Sequence, residues 1–355
     1  MALLVILCYN SQMASNPDTI FGAARKAGAS DVHLAVGSPV LFRIDGELLE
    51  QGKAELTGAE VEGVVKKVLG EKKFREFQEK REIDIAYALK SGARLRVNCH
   101  YERSFPGLVA RLIPGRIPTP EDIGLVQQIR DLCLLEEGLI LFTGPTGAGK
   151  STSLASMIQS INETRAEHVV TLEDPIEFLF PKGKGIIRQR QYGQDFHSFP
   201  EALRRVLRQD PDIIMVGEMR DLETIAAALT LAETGHLIFA TLHTPNTTQS
   251  VDRIVDVFPP HQQSQIRAQL SLSLKAIIAQ RLLPRKGGGL VAQREILLNT
   301  AAVANIIREN RVQELKSALQ SGVGDGMSTF ERDAKRLLKE GLIEKETYKL
   351  AEGGE

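Results

Sequence analysis

Apolar residues are spaced in two ways along this chain, and the change comes near residue 115. Before it the spans are short and mixed. Asp18 to Ala27 has helical spacing, while Asp31 to Val36 and Pro39 to Gly46 read as β-like runs with a turn at Asp45-Gly46. Val61 to Phe77 returns to helical spacing, with Lys and Glu crowding a solvated face. Ile83 to Leu89, Arg94 to Tyr101 and Gly107 to Ile113 read as antiparallel strands carrying Arg94, Arg96 and Arg111. On a one-sided sheet, alternation places such arginines on the exposed face whether or not they have a function. Residues 16–114 are therefore read as a small α+β domain. Pro114, Pro118 and Pro120 forbid a continuous helix or central strand, so residues 115–120 are read as a linker.

Beyond the linker the apolar runs become continuous, as strands buried on both faces require. Gly138 to Thr143, Val169 to Glu173, Ile213 to Glu218 and Leu237 to His243 are such runs, with helical stretches between them. Thr152 to Ile161 lines up Leu154, Met157, Ile158 and Ile161 on one side. This order predicts a largely parallel sheet covered by helices over residues 121–355. From Gln262 the pattern reads as helical, interrupted at Lys286–Gly289 and Ser321–Gly326. The expected fold class is α/β with C-terminal helices, preceded by the small α+β domain. Residues 1–15 fit neither domain. Met1 to Cys8 is apolar, but it is far short of the roughly 20 residues that span a bilayer and lacks the charged start of a secretion signal. The segment is read as a disordered or non-native extension, with Met13 as an alternative start.

Composition narrows the classes. A chain of 355 residues, 43% of them hydrophobic, can bury two cores. Its 44 basic and 45 acidic residues leave a net charge of −1, which removes the general electrostatic case for a nucleic-acid binder or a polybasic membrane anchor. Cys8, Cys99 and Cys133 are too few and too scattered for a disulfide framework or a zinc site.

Gly144-Pro145-Thr146-Gly147-Ala148-Gly149-Lys150-Ser151 satisfies every fixed position of G-x-x-x-x-G-K-S/T and stands between a buried-type strand and a helix, the context that pattern needs. The glycines let successive N–H groups turn toward phosphate oxygens, and the helix opening at Thr152 adds its partial positive charge. Lys150 can reach the β and γ phosphates, and the Ser151 hydroxyl can ligate Mg²⁺. Nucleoside triphosphate binding follows. Three more strands end in polar residues, at Glu173-Asp174, Gly217-Glu218 and His243, and ligands of an open α/β sheet bind at the carboxyl ends of its strands. Glu218 closes a Walker-B-like strand, but Gly217 replaces the usual acid before it. Magnesium would then be held by Ser151, phosphate, water and Glu218 through water. Glu173 and Glu218 are the two candidates for orienting or deprotonating the attacking water. His236 and His243 bracket one strand and are read as candidate γ-phosphate sensors; no third ligand at a matching interval makes them a metal site. One lysine seldom neutralises a transferring phosphoryl group, so an arginine is expected, with Arg94, Arg96 and Arg111 available from this chain or a neighbour.

Four boxes in order, Gly144–Ser151, Glu173–Glu177, Asp210–Asp221 and Thr234–Thr244, resemble the type II and type IV secretion ATPase superfamily. From about Asn16 the chain is similar to its PilT group, the type IV pilus retraction ATPases. Ala29–Ala35 and Arg94–Asn98 match that group's N-terminal domain, and Ala304–Glu309 resembles its C-terminal retraction motif. The resemblance implies a RecA-like ATPase domain behind a PAS-like domain, ATP and Mg²⁺ as cofactors, and Glu173 as general base. It implies a homohexamer in which the N-domain arginines, Arg96 and Arg111 here, reach nucleotide across a protomer boundary. It further implies a cytoplasmic motor, peripheral to the inner face of the membrane, with an inner-membrane pilus platform protein as partner and no nucleic acid. Val303-Ala304 stands where the motif usually reads Ala-Ile-Arg, so one arginine is missing. Pilus-extension and type II secretion ATPases share the four boxes but normally add an N-terminal domain and a tetracysteine zinc insert near Leu282 to Arg294, where this sequence has no cysteine. A RecA-like nucleic-acid motor is disfavoured by the charge balance, and a switch without turnover by the retained Lys150, Glu173 and Glu218.

Overall fold

The structure, a computed structural model, describes residues 16–44, 46–90, 92–113 and 115–352. The extension read over residues 1–15, with Cys8 and Met13, lies outside them, as do Asp45 of the expected turn and Pro114 at the head of the linker. The chain divides into two compact units between Arg116 and Ile117.

The first unit runs α1 (Pro17–Lys26), β1 (Asp31–Leu34), β2 (Leu41–Ile44), β3 (Glu47–Glu50), α2 (Gly58–Lys80), β4 (Glu82–Ala88), β5 (Arg94–Glu102) and β6 (Phe105–Leu112). The Asn16 side chain caps α1 by accepting from the Asp18 N–H, and Thr57 with Glu60 forms a reciprocal capping box at the start of α2. The expected single helix from Val61 to Phe77 is in fact two segments. Gly70, at φ 70° and ψ 167°, breaks α2 in a conformation that only glycine adopts readily. All six strands pair antiparallel in the order β3-β2-β1-β6-β5-β4. Val32, Phe42, Val97, Cys99 and Ala110 pack with Phe21, Val64 and Phe77 of the helices in one core. The alternate positions carry charge. Arg43, Asp31, Arg111 and Arg96 lie opposite one another across four adjacent strands. Arg96 and Arg111 are exposed, Asp31 is buried, and Arg111 Nε donates to Asp31 Oδ1 at 2.8 Å.

The second unit runs α3 (Gln127–Asp131), β7 (Gly138–Thr143), α4 (Lys150–Thr164), β8 (His168–Glu173), β9 (Ile186–Gln191), α5 (Phe199–Val206), β10 (Ile213–Val216), α6 (Leu222–Glu233), β11 (Leu237–Leu242), α7 (Thr247–Asp256), α8 (Pro260–Ser273), β12 (Leu274–Pro284), β13 (Leu290–Leu298), α9 (Ala301–Arg308), α10 (Leu315–Ser321), α11 (Phe330–Lys339) and α12 (Lys345–Glu352). Its sheet has the order β13-β12-β7-β11-β10-β8-β9. Every neighbouring pair is parallel except β12 with β13. Leu139, Leu141, Val170 and Val216 pack on one side with Leu203, Ile225, Val251 and Leu270. Ile140, Phe142, Val169 and Phe239 pack on the other with Leu154, Met157, Ile158 and Ile161 of α4. Burial on both faces is why these strands read as continuous apolar runs.

Three strands depart from the sequence reading. The helical pattern expected from Gln262 ends at Leu274, where β12 and β13 form an antiparallel hairpin whose turn places Gly287, Gly288 and Gly289 at positive φ. A short apolar run such as Leu274 to Ala279 fits either period, and pairing with β7 decides it. Edge strand β9 has only two apolar residues, so nothing in its sequence marks it as a strand.

Candidate active site

The phosphate loop leaves β7 after Thr143 and enters α4 at Lys150. Its glycines are needed where the pattern has them. Gly144 has φ 139°, and a Cβ there would lie 2.2 Å from the Gln280 carbonyl oxygen; Gly149, at φ 80°, begins α4 in the left-handed region. Pro145, Thr146 and Gly147 are exposed, Ala148 is buried, and Ser151 and Thr152 are half-buried in the first turn of α4. The Lys150 side chain folds back so that Nζ donates to Gly144 O at 2.6 Å and Pro145 O at 3.0 Å. Burial lowers its pKa, while Glu218 and Glu177 act to raise it. Phosphate oxygens are stronger acceptors for an ammonium than these carbonyls, so the lysine can exchange one set for the other.

Parallel pairing brings the other polar strand ends to the same edge. Leu242 lies opposite Thr143, and Val216 lies between Leu172 and Ala240, so Glu173, Glu218 and His243 emerge at the loop's end of the sheet. Gly217 has a steric reason: a Cβ there would come within 3.0 Å of the Leu172 carbonyl oxygen, so the chain runs too close to β8 for an acidic side chain. The two candidate acids occupy opposite environments. Glu173 is 6% exposed. Its Oε1 accepts from Thr171 Oγ1 at 2.6 Å and Gln189 Nε2 at 3.1 Å, and its Oε2 accepts from the Glu177 N–H at 3.4 Å. Burial outweighs these bonds and raises its pKa, the direction a general base requires. Burial also opposes charge on Glu218, but Arg220 at 2.7 Å and His243 at 3.1 Å prevail, and its pKa is lowered. Arg220 was invisible as a site residue in the sequence; its one signal is the position two residues after Glu218.

His236 is a correction. It precedes β11, and its carbonyl accepts from the Gly138 N–H at 3.0 Å, at the amino edge of the sheet. Strand β7, six residues and about 20 Å long, separates it from the loop. The Nδ1 of His236 instead lies 3.3 Å from Thr234 Oγ1 and from Leu231 O. Of the two histidines that bracket β11, only His243 shares the loop's edge, and His236 does not reach a nucleotide held by the loop of its own chain. Arg96 and Arg111 belong to the first unit, on its exposed sheet face. Among the described residues no group of three or more His, Cys, Asp or Glu could by itself hold a metal ion. Mg²⁺ suits such a donor set, because it keeps several waters and takes one or two protein oxygens with substrate phosphates.

A carboxyl made basic by burial and another kept charged, both beside a phosphate loop, are the equipment of nucleotide hydrolysis, and they define a P-loop nucleoside triphosphatase. The chain belongs to the type II/IV secretion system protein family, whose model matches residues 12–322. It is 43% identical over 321 residues to the type IV pilus retraction ATPase PilT of Pseudomonas aeruginosa, covering 90% of this chain and 93% of that one. A twitching motility protein of Neisseria gonorrhoeae is 42% identical over 316 residues, covering 89% and 84%. The crystal structure of the pilus retraction motor PilT with bound ADP matches at a TM-score of 0.87 and 42% identity, over 95% of this chain and 96% of that one.

Glu173→Gln keeps an oxygen where Thr171 and Gln189 donate and removes a charge that burial disfavours. A carboxyl whose folded pKa is raised stabilises the fold below its unfolded value, near 4.5, and that contribution is lost as pH rises through the folded value. The variant should therefore melt above the parent at about pH 8, with the difference shrinking toward pH 4.5, while ATP turnover falls roughly 100-fold or more. Thermal melts at both pH values and a phosphate-release assay check this. A variant less stable than the parent at about pH 8 would show that the charge is welcome there and would remove Glu173 as the candidate base.

Proposed function

We propose that this chain is the ATP-hydrolysing motor of type IV pilus retraction, acting as a homohexameric ring on an inner-membrane platform protein from the cytoplasmic side. The reading is carried by one observation, the buried Glu173 and the charged Glu218 at the edge that holds the phosphate loop, in a chain 43% identical to a pilus retraction ATPase. The nucleotide phosphates would be met by the backbone N–H groups of residues 146–151, and Lys150 exchanges the carbonyls of Gly144 and Pro145 for phosphate oxygens. Ser151 would hold Mg²⁺ directly and Glu218 through water; the bound ion neutralises charge on the phosphates. Glu173 accepts the proton of the attacking water, and Glu218, fixed by Arg220 and His243, helps to orient that water. Association with the membrane is peripheral: among the described residues no helix is long and apolar enough to cross one. With a net charge of −1, nucleic acid is not the substrate. Deleting the gene should leave persistent fibres that do not shorten; loss of fibres altogether would favour an extension motor.

Active sites are completed between subunits. Arg96 and Arg111 are exposed side chains on the open face of the first unit, with Arg111 held by Asp31, so a neighbour's nucleotide can recruit them without unpacking a core. Mixing Arg111→Ala with Lys150→Ala subunits should restore part of the ATPase rate that each lacks alone, because some interfaces then pair an intact arginine with an intact lysine. No recovery at any ratio, in hexamers shown to form, would rule out action across the interface.

Coupling to the filament is assigned to α9. Thr300 caps this helix, and Val303, Ile306 and Ile307 are buried while Arg308 and Glu309 are exposed. Replacing Arg308 and Glu309 together by Ala removes surface charge without disturbing that packing. Assembly and ATP hydrolysis should stay near normal while twitching and fibre shortening stop. Parallel loss of hydrolysis and movement would make the segment structural, and full movement would exclude it from the mechanism.

A further inference from the structure

The phosphate loop is braced from behind by a polar network outside the groups expected to meet nucleotide. Gln280 on β12 is 2% exposed, and its amide nitrogen donates to the Ala148 carbonyl at 2.6 Å. Its amide oxygen accepts from Ser153 Oγ and from Arg294 Nε, each at 2.9 Å. The same residue's backbone carbonyl closes off the space at Gly144, and its amide nitrogen would lie 2.9 Å from a Cβ at Gly149. Gln280 thus touches the loop at its entry, at its exit and at the first turn of α4.

Arg294 on β13, also 2% exposed, spends its guanidinium on neutral oxygens. Nε goes to Gln280, Nη1 to Gly124 O at 2.9 Å and Nη2 to Ile123 O at 3.0 Å. Its backbone N–H donates to Asp333 Oδ2 of α11 at 2.8 Å, and Asp333 Oδ1 also accepts from Arg336 at 2.8 Å. Burial pushes the Arg294 pKa down to about 10 against the pull of Asp333. A cation buried on carbonyl and amide oxygens is a costly way to hold a hairpin together, since an apolar side chain of similar size serves stability as well or better. What an apolar residue cannot do is fix which way the Gln280 amide points. With that oxygen claimed by Arg294 and Ser153, the amide nitrogen faces Ala148.

We propose that Gln280 and Arg294 are positioning residues for the nucleotide: Arg294 orients the Gln280 amide, and Gln280 draws the Ala148 carbonyl away from the phosphate side, leaving the loop's N–H groups convergent on it. The inference rests on the loop being the ATP site. Through Asp333 the same network ties the loop to α11, so nucleotide occupancy and the C-terminal helices share one set of hydrogen bonds.

The test compares Gln280→Met and Arg294→Met with Gln293→Met. Gln293 is buried on the same strand, bonded to Phe330 O at 2.6 Å and to Arg281 at 2.7 Å, with no hydrogen bond to the loop. MgADP titration calorimetry, steady-state kinetics and nucleotide-free melts are measured on the full chain. Gln280→Met and Arg294→Met should raise Kd for MgADP and KM for ATP on the order of 10-fold, the scale of one lost buried hydrogen bond, with a smaller change in kcat. Gln293→Met should lower the melting temperature and leave Kd and KM unchanged. Arg294→Met removes a buried charge but leaves Ile123 O, Gly124 O and the Gln280 amide oxygen short of a donor, so its melting temperature is compared with that of Gln293→Met. Weaker binding at a comparable loss of melting temperature, where Gln293→Met binds normally, is not a symptom of instability. Unchanged Kd in both Gln280→Met and Arg294→Met, or a Kd that follows melting temperature across all three variants, overturns the proposal. A parent that binds no MgADP overturns the ATP-site assignment itself.

Discussion

Strands buried on both faces leave only their ends free for polar chemistry. In the second unit Leu139 to Phe142 and Leu237 to Ala240 are buried among apolar side chains from both layers of helices, and an unpaired polar group among them would cost a lost hydrogen bond or more. Parallel pairing then sends the carboxyl ends of β7 to β12 to the same edge, whatever the order of the strands. The glycine loop after β7, Glu173 at the end of β8, Glu218 beyond β10 and His243 beyond β11 meet there because these parallel strands end at one edge. His236, at the other end of β11, shows the same rule from the opposite side.

The edge is not uniform, and its gradient of burial gives two like residues different chemistry. Glu173 is enclosed with only neutral donors, so its proton affinity rises. Glu218 is half open and has a guanidinium and an imidazole against its two oxygens, so its charge is kept. Each environment combines a near neighbour in the chain with a group from another strand, Gln189 for Glu173 and His243 for Glu218. Thr171 lies two residues before Glu173 on the same face of β8, and Arg220 lies two beyond Glu218. The buried carboxylate is unfavourable for folding at neutral pH, which is the form a stability cost takes when a site needs a base.

The two units handle charge differently. The first covers one sheet face with α1 and the broken α2, and its other face carries the row Arg43, Asp31, Arg111 and Arg96, of which Arg96 and Arg111 are exposed and Asp31 is buried beneath its ion pair with Arg111. The solvent side of that pair is the arginine, so Arg111 can exchange its partner without unpacking a core. In the second unit the charged pair at the end of α9 is likewise outside its core. The carboxyl proposed as the base is buried, and the groups proposed to act between molecules are on the surface.

What the amino-acid sequence determined by itself was local or periodic. The strands β7, β8, β10 and β11 were legible because two-sided burial writes an unbroken apolar run, and the phosphate loop because its glycines answer to backbone torsions a few residues apart. The antiparallel strands of the first unit were legible from alternation, which also put Arg96 and Arg111 on the exposed face. Tertiary structure decided the rest. Whether Leu274 to Ala279 coils or extends depends on an open edge at β7, and β9 becomes a strand only because β8 offers it a ladder. Gly70 splits α2 through a torsion that helical spacing does not record. Gln280 reaches the loop from more than a hundred residues downstream, with Arg294 bonded behind it, and the opposite pKa shifts of Glu173 and Glu218 arise from what surrounds them after folding. Such facts belong to contacts between distant segments, and a one-dimensional pattern carries period and torsion but not enclosure.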